Sequence, residues 1–365
     1  MNKKILALIT LTIMITSGLV VLTTGTCNDS NASTDASFYI EDSNGNMIEF
    51  EQTSNHVILL GLGFTLSTID LGCEDKIVGV DYYTDQYMKG IGETQYNDLD
   101  LGNYFNADGR TQIATAILQM SENGTFNLDT DWIIAPGYSY IVGSGGLIEL
   151  LNEILGENNY NLITLVSSAT SYDQVTEVVE DLSKIMGVQS SAVVDEMQTV
   201  DDIVTETIEN NNLSGAAAIQ ISSSGKIYNS SLGMSIVTEN LNGINAGSNG
   251  GSSSYSTDYS AILQMASAYS DTVIFVSESY SDISGLKETL NGYKIVLMES
   301  KWDNVCPDVT NCLWVIACAL YPDYFSGDVP TVDSGSNENT ILYLGAGMAV
   351  AIAAIIITTF VMKKH

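Results

Sequence analysis

The chain has 365 residues, of which 44 are acidic and 12 are basic, so its formal net charge is −32. Nucleic acids and anionic lipid surfaces are bound by basic faces, and this charge therefore argues against both as partners. Between two apolar ends lie roughly 300 residues, which is enough for two domains of ordinary size.

The N-terminus has the pattern of an export signal. Lys3 and Lys4 precede an uncharged apolar run over residues 5–22, as in the charged and apolar regions of a signal peptide. We therefore predict a signal peptide over residues 1–27 and a linker over residues 28–37. Two alternatives remain open: an uncleaved first membrane span, and lipidation at Cys27.

The next predicted elements alternate between strand and helix. A hairpin over residues 38–50 turns at Gly45, which supplies the positive φ that such a turn needs. The elements after it are a strand at 57–60, a helix at 64–71, strands at 77–80, 132–135 and 162–165, and helices at 112–120 and 147–155. This alternation predicts an N-terminal α/β lobe over residues 38–187 with a parallel sheet covered on both faces.

A helical pattern runs from Tyr172 to Asn210 and breaks near Gly187. Its second half, within residues 188–213, is long enough to connect two lobes. The strand and helix pattern then restarts, which predicts a C-terminal α/β lobe over residues 214–326. Its elements are strands at 216–221, 273–276 and 294–297, helices at 262–268, 283–290 and 311–320, and a Gly/Ser/Asn-rich loop through 254.

A short internal sequence repeat supports two similar lobes. The five residues from Ala116 to Met120 recur letter for letter from Ala261 to Met265. Each copy is followed by an aspartate and a buried strand, so the two copies occupy equivalent places in the two lobes.

The C-terminus predicts a membrane anchor. After a linker over residues 327–340, the uncharged apolar run 341–362 has the length of a spanning helix, and Lys363 and Lys364 follow it. We therefore predict a single-pass protein of the cell membrane with an extracellular ectodomain and a cytoplasmic tail at 363–365.

The sequence gives little support for an enzyme or a bare metal site. It has no Gly-x-Ser-x-Gly, P-loop or HExxH motif, and His56 is the one histidine of the ectodomain. No cysteine pair has CxxC spacing, which argues against zinc. We predict no catalytic residue, no metal ligand and no cofactor, while a disulfide between Cys306 and Cys312 remains an open alternative.

Several segments resemble one known family. They are residues 40–46 with 56–60, residues 77–81 and 129–135, and later 240–245, 255–256 and 314–322. In this order they resemble the periplasmic-type substrate-binding proteins of ABC importers for metal chelates, the group that binds iron-siderophores, haem or vitamin B12. The resemblance implies an α/β fold of two lobes with central parallel sheets, joined by a long rigid helix, with the ligand in a cleft between them.

The resemblance also implies a partner. Members of the family dock on an ABC permease through an acidic residue on each lobe, but the matching positions here are Thr115 and Ser260. Asp108 and Asp258 lie nearby, and we take them as the candidate docking residues.

The candidate ligand-binding residues follow the predicted strands, because open α/β lobes bind ligands beyond the carboxyl ends of their strands. They are Tyr82, Tyr83, Tyr138, Tyr140, Tyr255, Tyr280 and Trp302, together with Arg110. Aromatic rings suit a planar or macrocyclic chelate, and the guanidinium suits a ligand carboxylate.

The sequence therefore predicts an extracytoplasmic solute-binding protein that acts as a monomer. It would capture an iron-siderophore, haem or a corrinoid such as cobalamin and deliver it to the permease, with the C-terminal tether pointing to an archaeal cell surface. The alternative is a surface adhesion or sensory module that has the same fold and no transport role.

Overall fold

The structure, a computed structural model, describes residues 37–157, 159–327, 329 and 331. The predicted signal peptide, Cys27, the membrane segment 341–362 and the cytoplasmic tail lie outside these residues. Within them, no helix is both long enough and apolar enough to cross a membrane.

The chain opens with an antiparallel hairpin of β1 (Phe38–Glu41) and β2 (Met47–Phe50). Gly45 takes a φ of 84° at its turn, and the carboxylate of Asp42 accepts hydrogen bonds from the backbone of Asn44 and Asn46. The hairpin is therefore closed by local turn chemistry, as its sequence predicts.

A four-stranded parallel sheet forms the first lobe. Its strands are β3 (Val57–Leu59), β4 (Ile77–Val80), β5 (Trp132–Pro136) and β6 (Asn161–Leu165), in the order β4-β3-β5-β6. Its helices are α1 (Leu62–Asp70), α2 (Tyr82–Gly90), α3 (Ala107–Glu122), α4 (Ser139–Val142) and α5 (Leu147–Leu155). Every residue of β3 and β5 is buried, as expected for strands with helices on both faces.

Two consecutive helices lead out of the first lobe. They are α6 (Tyr172–Met186) and α7 (Ser191–Asn210). Gly187 ends α6 in the left-handed conformation, with a φ of 70°, which glycine adopts without a steric penalty. At 20 residues α7 is the longest helix of the described chain, and it carries the chain into the second lobe.

The second lobe has a mixed sheet. Its strands are β7 (Ala217–Ile221), β8 (Lys226–Tyr228), β9 (Ile244–Asn245), β10 (Ser254–Ser256), β11 (Val273–Ser277) and β12 (Lys294–Met298). The order is β10-β8-β7-β11-β12, with β9 beside β7. The pairs β7–β11 and β11–β12 are parallel, whereas β8 is antiparallel to both neighbours.

The helices of this lobe are α8 (Leu232–Ser235), α9 (Tyr259–Ala266), α10 (Ile283–Thr289) and α11 (Val309–Leu320). A π-helical turn, Ile236–Asn240, continues α8. The prediction of a Gly/Ser/Asn-rich loop through residue 254 is therefore wrong: the segment holds β8, α8, β9 and β10. These strands have two or three residues each, which is too short for a hydrophobic period to identify them.

The repeated pentapeptide lies on α3 and α9 in the same orientation. Ile117 and Ile262 are both buried, while Gln119 and Gln264 are both exposed. The two copies thus pack the same helical face against their sheets. They differ in distance from the helix start, because α3 has about two more turns before the shared segment.

One hydrophobic core runs through both lobes. Phe64 of the first lobe, Val179 of α6, Val200 of α7 and Leu313 of α11 belong to a single continuous cluster of buried side chains. Two smaller clusters lie on the outer faces of the two sheets. The lobes are therefore joined by packed side chains as well as by chain connections.

Four cysteines are buried, Cys73, Cys306, Cys312 and Cys318, and the thiols of Cys306, Cys312 and Cys318 are free. The structure thus does not form the disulfide that was left open between Cys306 and Cys312. Burial raises the pKa of the Cys318 thiol to about 11, and burial likewise raises the pKa of Cys306. These thiols pack as small apolar side chains.

Candidate functional site

A small cavity lies where the carboxyl ends of the first sheet meet the second lobe. The residues around it are Gly61, Leu62, Gly63, Phe64, Tyr104, Tyr138 and Ser167 of the first lobe and Asn304 and Val305 of the second. Its volume is ≈ 60 Å³. We call it the interlobe cavity. It occupies the position beyond the strand ends where open α/β folds bind ligands.

The two lobes touch closely beside this cavity. Ser67 of α1 donates a hydrogen bond of 2.8 Å to the carbonyl oxygen of Val305. A Cβ atom on Gly63 would lie 2.8 Å from the backbone nitrogen of Val305, a distance that only glycine permits here. The segment after β12 therefore packs directly on the first turns of α1.

Six aromatic side chains gather at the same edge of the first sheet. They are Tyr82, Tyr83, Tyr104, Phe105, Tyr138 and Tyr140, and we call them the aromatic cluster. Phe105 is its hub, with ring centroids 4.4 Å from Tyr104, 5.2 Å from Tyr83, 5.2 Å from Tyr140 and 6.3 Å from Tyr138. Tyr104 and Tyr138 also line the interlobe cavity, so the cluster borders it.

Much of this cluster is open to solvent. Tyr82, Tyr83, Phe105 and Tyr140 are each between 40% and 48% exposed. Contiguous exposed aromatic surface of this kind is uncommon on soluble proteins and marks binding sites. Rings in edge contact, such as Tyr82 and Tyr83 at 83°, also leave ring faces free for a ligand to stack on.

The start of helix α2 positions Tyr82 and Tyr83 in the cluster. Asp81 follows β4 and caps α2, with its carboxylate accepting hydrogen bonds from the backbone of Tyr83 and Thr84 and from the Thr84 hydroxyl. Tyr82 and Tyr83 are consequently the first residues of a helix, whereas the sequence prediction placed them in a loop. Burial raises the pKa of Asp81 even though these hydrogen bonds favour its charged form.

Tyr104 and Phe105 were missed by the sequence prediction. They follow a segment that runs beside the end of β4, where Leu101 donates a backbone hydrogen bond to Val80 and Val80 donates one to Leu99. The extra pairing carries the two rings to the carboxyl edge of the sheet. A signal was present in the adjacent aromatic pair just before the α3 cap, but nothing local linked that pair to β4.

Arg110 lies behind the cluster. Its Nη1 donates a hydrogen bond of 3.0 Å to the carbonyl oxygen of Tyr104, and its Nε is buried without a hydrogen-bond partner. No ion pair of Arg110 is formed within the described chain. Its positive charge therefore lies close to Tyr104 and is not neutralised by an ion pair with a described residue.

The predicted second-lobe residues do not join the aromatic cluster. Trp302 is only 3% exposed, and its indole nitrogen donates to Asp308 at 2.6 Å. The Tyr255 hydroxyl donates to the carbonyl of Gly247, and Tyr280 is hydrogen-bonded to Tyr259. Each of the three is engaged within its own lobe, so none of them extends the aromatic cluster.

The candidate docking residues lie at the starts of equivalent helices. Asp108 is exposed in the first turn of α3, and Asp258 caps α9 by accepting from the backbone of Ala261 at 2.8 Å. At the positions that the resemblance aligns with docking acids, the Thr115 hydroxyl donates to Thr111 and the Ser260 hydroxyl to Asp258. Asp258 thus has a structural role as a helix cap.

The side chains that gather at the site are mainly aromatic and hydroxyl groups. Within the described residues, no group of three or more His, Cys, Asp or Glu side chains could hold a metal ion. His56 contacts Asp131 at 3.2 Å; the two residues precede the amino ends of β3 and β5, at the edge of the sheet opposite the cluster. Aromatic faces and buried hydrogen-bond donors suit recognition of an organic ligand.

No protein-family model matches the chain, and no curated protein matches its sequence. Solved structures match its fold. Helicobacter pylori CeuE in a nickel–histidine complex shares 13% sequence identity, with a TM-score of 0.56 over 79% of this chain and 90% of that one. A periplasmic solute binding protein of Veillonella parvula shares 12% identity, with a TM-score of 0.55 over 80% and 89%.

A periplasmic heme binding protein of Pseudomonas aeruginosa matches in the same way, at 13% identity and a TM-score of 0.52 over 77% of this chain and 99% of that one. These identities are low, so what the comparisons establish is a shared fold. The chain is a mixed α/β protein with the architecture of periplasmic binding proteins.

Proposed function

We propose that the protein is a solute-binding protein that captures a metal chelate outside the cell for an ABC importer. The aromatic cluster carries the proposal, because it offers exposed ring faces at the edge of the first sheet that faces the second lobe. Stacking on such faces suits the planar or macrocyclic surface of an iron-siderophore, haem or a corrinoid. The shared fold supports the same reading.

The interlobe cavity limits how the ligand enters. At ≈ 60 Å³ it is too small for any of these chelates. A chelate would therefore lie on the aromatic cluster with the second lobe moved away from it. The membrane segment proposed for residues 341–362 would keep the protein at the cell surface while this happens.

The test is a thermal-shift screen of the full chain against ferric siderophores, haem and cobalamins. A ligand that binds only the native state raises the melting temperature by mass action, so one class is expected to give a clear rise. If no class raises it while the protein is folded, the proposal fails.

A matched pair of variants connects that binding to the cluster. Phe105→Ala removes the hub ring, and we expect the affinity for the chelate to fall by about fivefold or more, since an aromatic contact contributes about 1 kcal/mol. Tyr269→Ala removes a ring that is 40% exposed on the second lobe, and it is expected to bind normally. Equal affinities for the two variants would exclude the cluster as the binding surface.

One observation favours a second candidate, an adhesion or sensory module without transport: neither Thr115 nor Ser260 is acidic. Pull-down of the ABC permease from solubilised membranes separates the two functions. Transport predicts capture that is lost in Asp108→Lys/Asp258→Lys, with folding of the variant checked by its melting temperature because Asp258 caps α9. Failure of the unaltered chain to capture a permease would favour the second candidate.

A further inference from the structure

Three Asn-x-Ser/Thr triplets of the sequence lie within the described chain. They begin at Asn123, Asn212 and Asn229, and two more, at Asn28 and Asn31, lie outside it. Such a triplet is the acceptor sequence for an N-linked glycan on the surface of an exported protein. Transfer needs an exposed carboxamide nitrogen without a competing hydrogen bond, and a hydroxyl group two residues later. The fold decides which triplets offer both groups.

The side chain of Asn123 offers both groups at the end of α3. Its Oδ1 accepts a hydrogen bond of 2.9 Å from the Thr125 backbone nitrogen and one of 2.5 Å from the Thr125 hydroxyl. The backbone donor identifies this atom as the oxygen, so the other atom of the carboxamide is Nδ2. Within the described chain Nδ2 donates to no protein group, and residues 122–125 are all exposed.

The turn that carries Asn123 is fixed to the rest of the lobe. The Thr125 backbone nitrogen also donates to the carbonyl oxygen of Met120 at 2.9 Å, and the next residue, Phe126, is buried. Gly124 has a φ of 80°, and a Cβ atom on it would meet nothing within 4 Å. The triplet therefore has a defined shape and is open to an approaching enzyme.

The corresponding groups of the Asn229 triplet are already engaged. The Asn229 Nδ2 donates to the carbonyl oxygen of Ser252, and its Oδ1 accepts from the backbone of Asn249 at 2.8 Å. The hydroxyl two residues later, on Ser231, donates to Gln220 at 2.5 Å. Both groups would have to leave these partners before a glycan could be transferred.

The Asn212 triplet lies between these two cases. Asn212 and Ser214 are exposed, but Leu213 between them packs against the hydrophobic core. An acceptor must enter the active site of the transferase, and drawing this triplet out would expose Leu213 to water. Asn212 is therefore a poorer acceptor than Asn123.

We propose that Asn123 carries an N-linked glycan, transferred to the folded protein outside the cell. Nδ2 attacks the anomeric carbon of a lipid-linked oligosaccharide, in which that carbon is bonded to an isoprenoid lipid phosphate. The C–N bond forms as the C–O bond to the phosphate breaks, and the phosphate leaves with that electron pair. Nδ2 loses one proton to a base of the transferase. The hydrogen bonds from Thr125 to Oδ1 withdraw electron density from the carboxamide and make this proton easier to remove.

The glycan would lie far from the aromatic cluster. The helix α3 begins two residues after Phe105 and has 16 residues, which corresponds to about 24 Å from its start to its end. Its two ends therefore lie at opposite edges of the first sheet. The inference needs export of the chain, as the proposed function does, but it does not need a chelate.

The first measurement is peptide mapping by mass spectrometry of the full chain, purified from the membranes of the cell that makes it. We expect an added sugar mass on the peptide that contains Asn123 and none on the peptide that contains Asn229. An unmodified Asn123 peptide overturns the inference, and so does an occupancy at Asn229 equal to that at Asn123.

Transfer in vitro separates the effect of the fold from that of the sequence. The folded full chain and two free peptides, one for each triplet, are incubated with an oligosaccharyltransferase that modifies both peptides. In the folded chain Asn229 is expected to react at least about tenfold more slowly than Asn123, because its hydrogen bonds must break first. Equal rates at the two sites, or no transfer to Asn123 in the folded chain, contradict the proposal.

Variants of Thr125 test the role of the hydroxyl. Thr125→Ala should abolish transfer to Asn123, whereas Thr125→Ser keeps a hydroxyl and should retain part of it. Thr111→Ala removes an exposed hydroxyl of the same helix and should react as the unaltered chain does. Melting temperatures check that each variant is folded. Full transfer to Asn123 in Thr125→Ala overturns the inference.

A binding measurement separates this inference from the proposed function. Asn123→Gln lacks the acceptor nitrogen and should bind the chelate as tightly as the unaltered protein, because the glycan lies at the other edge of the sheet. A glycan at Asn123 in a protein that binds no chelate supports this inference and refutes the proposed function. Chelate binding by a protein that is unmodified at Asn123 has the opposite meaning.

Discussion

Asp70 lies at the last residue of α1, where the first lobe contacts the segment after β12. Desolvation raises its pKa from 3.8 to about 6, with repulsion from Asp308 adding to the shift and Lys301 opposing it. A carboxyl whose pKa is raised by folding binds protons more tightly in the native state than in the unfolded state. Its contribution to stability therefore grows as the pH falls from above 6 toward 4 and is lost again as the pH rises.

Asp70→Asn tests the expected direction of this change in stability with pH. At pH 7.5 the variant should be more stable than the unaltered protein, by no more than about 1 kcal/mol because water screens the side chain, and the gain should disappear at about pH 3, below the ordinary aspartate pKa of 3.8. Urea unfolding at both pH values measures the difference. Asp323→Asn removes a charge at an exposed position and should show no such pH dependence; a gain in Asp70→Asn that is equal at both pH values would contradict the assignment.

At the scale of elements, the contact between α1 and Val305 is a packing constraint. A methyl group on Gly63 would approach the Val305 backbone nitrogen to 2.8 Å and its carbonyl oxygen to 3.1 Å. Gly63→Ala is therefore expected to destabilise the protein by about 1–3 kcal/mol, the usual range for overpacking. Denaturant unfolding provides the measurement.

Gly90→Ala is the matched control, because it also lies in a helix and nothing lies within 4 Å of its added methyl group. That change should be neutral or stabilising by up to about 1 kcal/mol, as alanine is the better helix former. Equal losses in the two variants would show that the contact with Val305 is unimportant.

The elements with strong hydrophobic patterns could be predicted from sequence. The strand Ile77–Val80 and the helix Leu147–Leu155 have the predicted bounds, because a buried run or an amphipathic stripe is a local property. The edge strands Lys226–Tyr228 and Ser254–Ser256 could not be predicted, since they exist through pairing with each other and with β7.

The site was predictable to a lesser degree for the same reason. Tyr82, Tyr83, Tyr138 and Tyr140 were identified because they follow strands, and the structure gathers them around Phe105. Phe105 itself depends on backbone pairing between Val80 and Leu101, which no local pattern reports. Trp302 follows a strand equally well, yet its indole is turned into the core.

At the scale of the whole molecule, the net charge is −32. Repulsion between these like charges lowers the free energy of unfolding. Salt screens such repulsion over distances of about 10 Å at 0.1 M. Raising NaCl from 0.05 to 0.5 M at pH 7.5 is therefore expected to raise the melting temperature by several degrees. The rise should shrink at pH 4, where carboxylates are being protonated; a melting temperature that falls with NaCl at pH 7.5 would contradict this account.

The continuous core described above also sets the mechanics of the cleft. Because Phe64, Val200 and Leu313 belong to one packed cluster, moving the second lobe away from the first would disturb the packing of a shared, close-packed interior. Separation of the lobes therefore costs free energy, because packed side chains lose contacts. The same loss favours the return of the lobes to contact. The residence time of a ligand held between the lobes would therefore depend on the packing of the shared core as well as on the contacts at the ligand's surface.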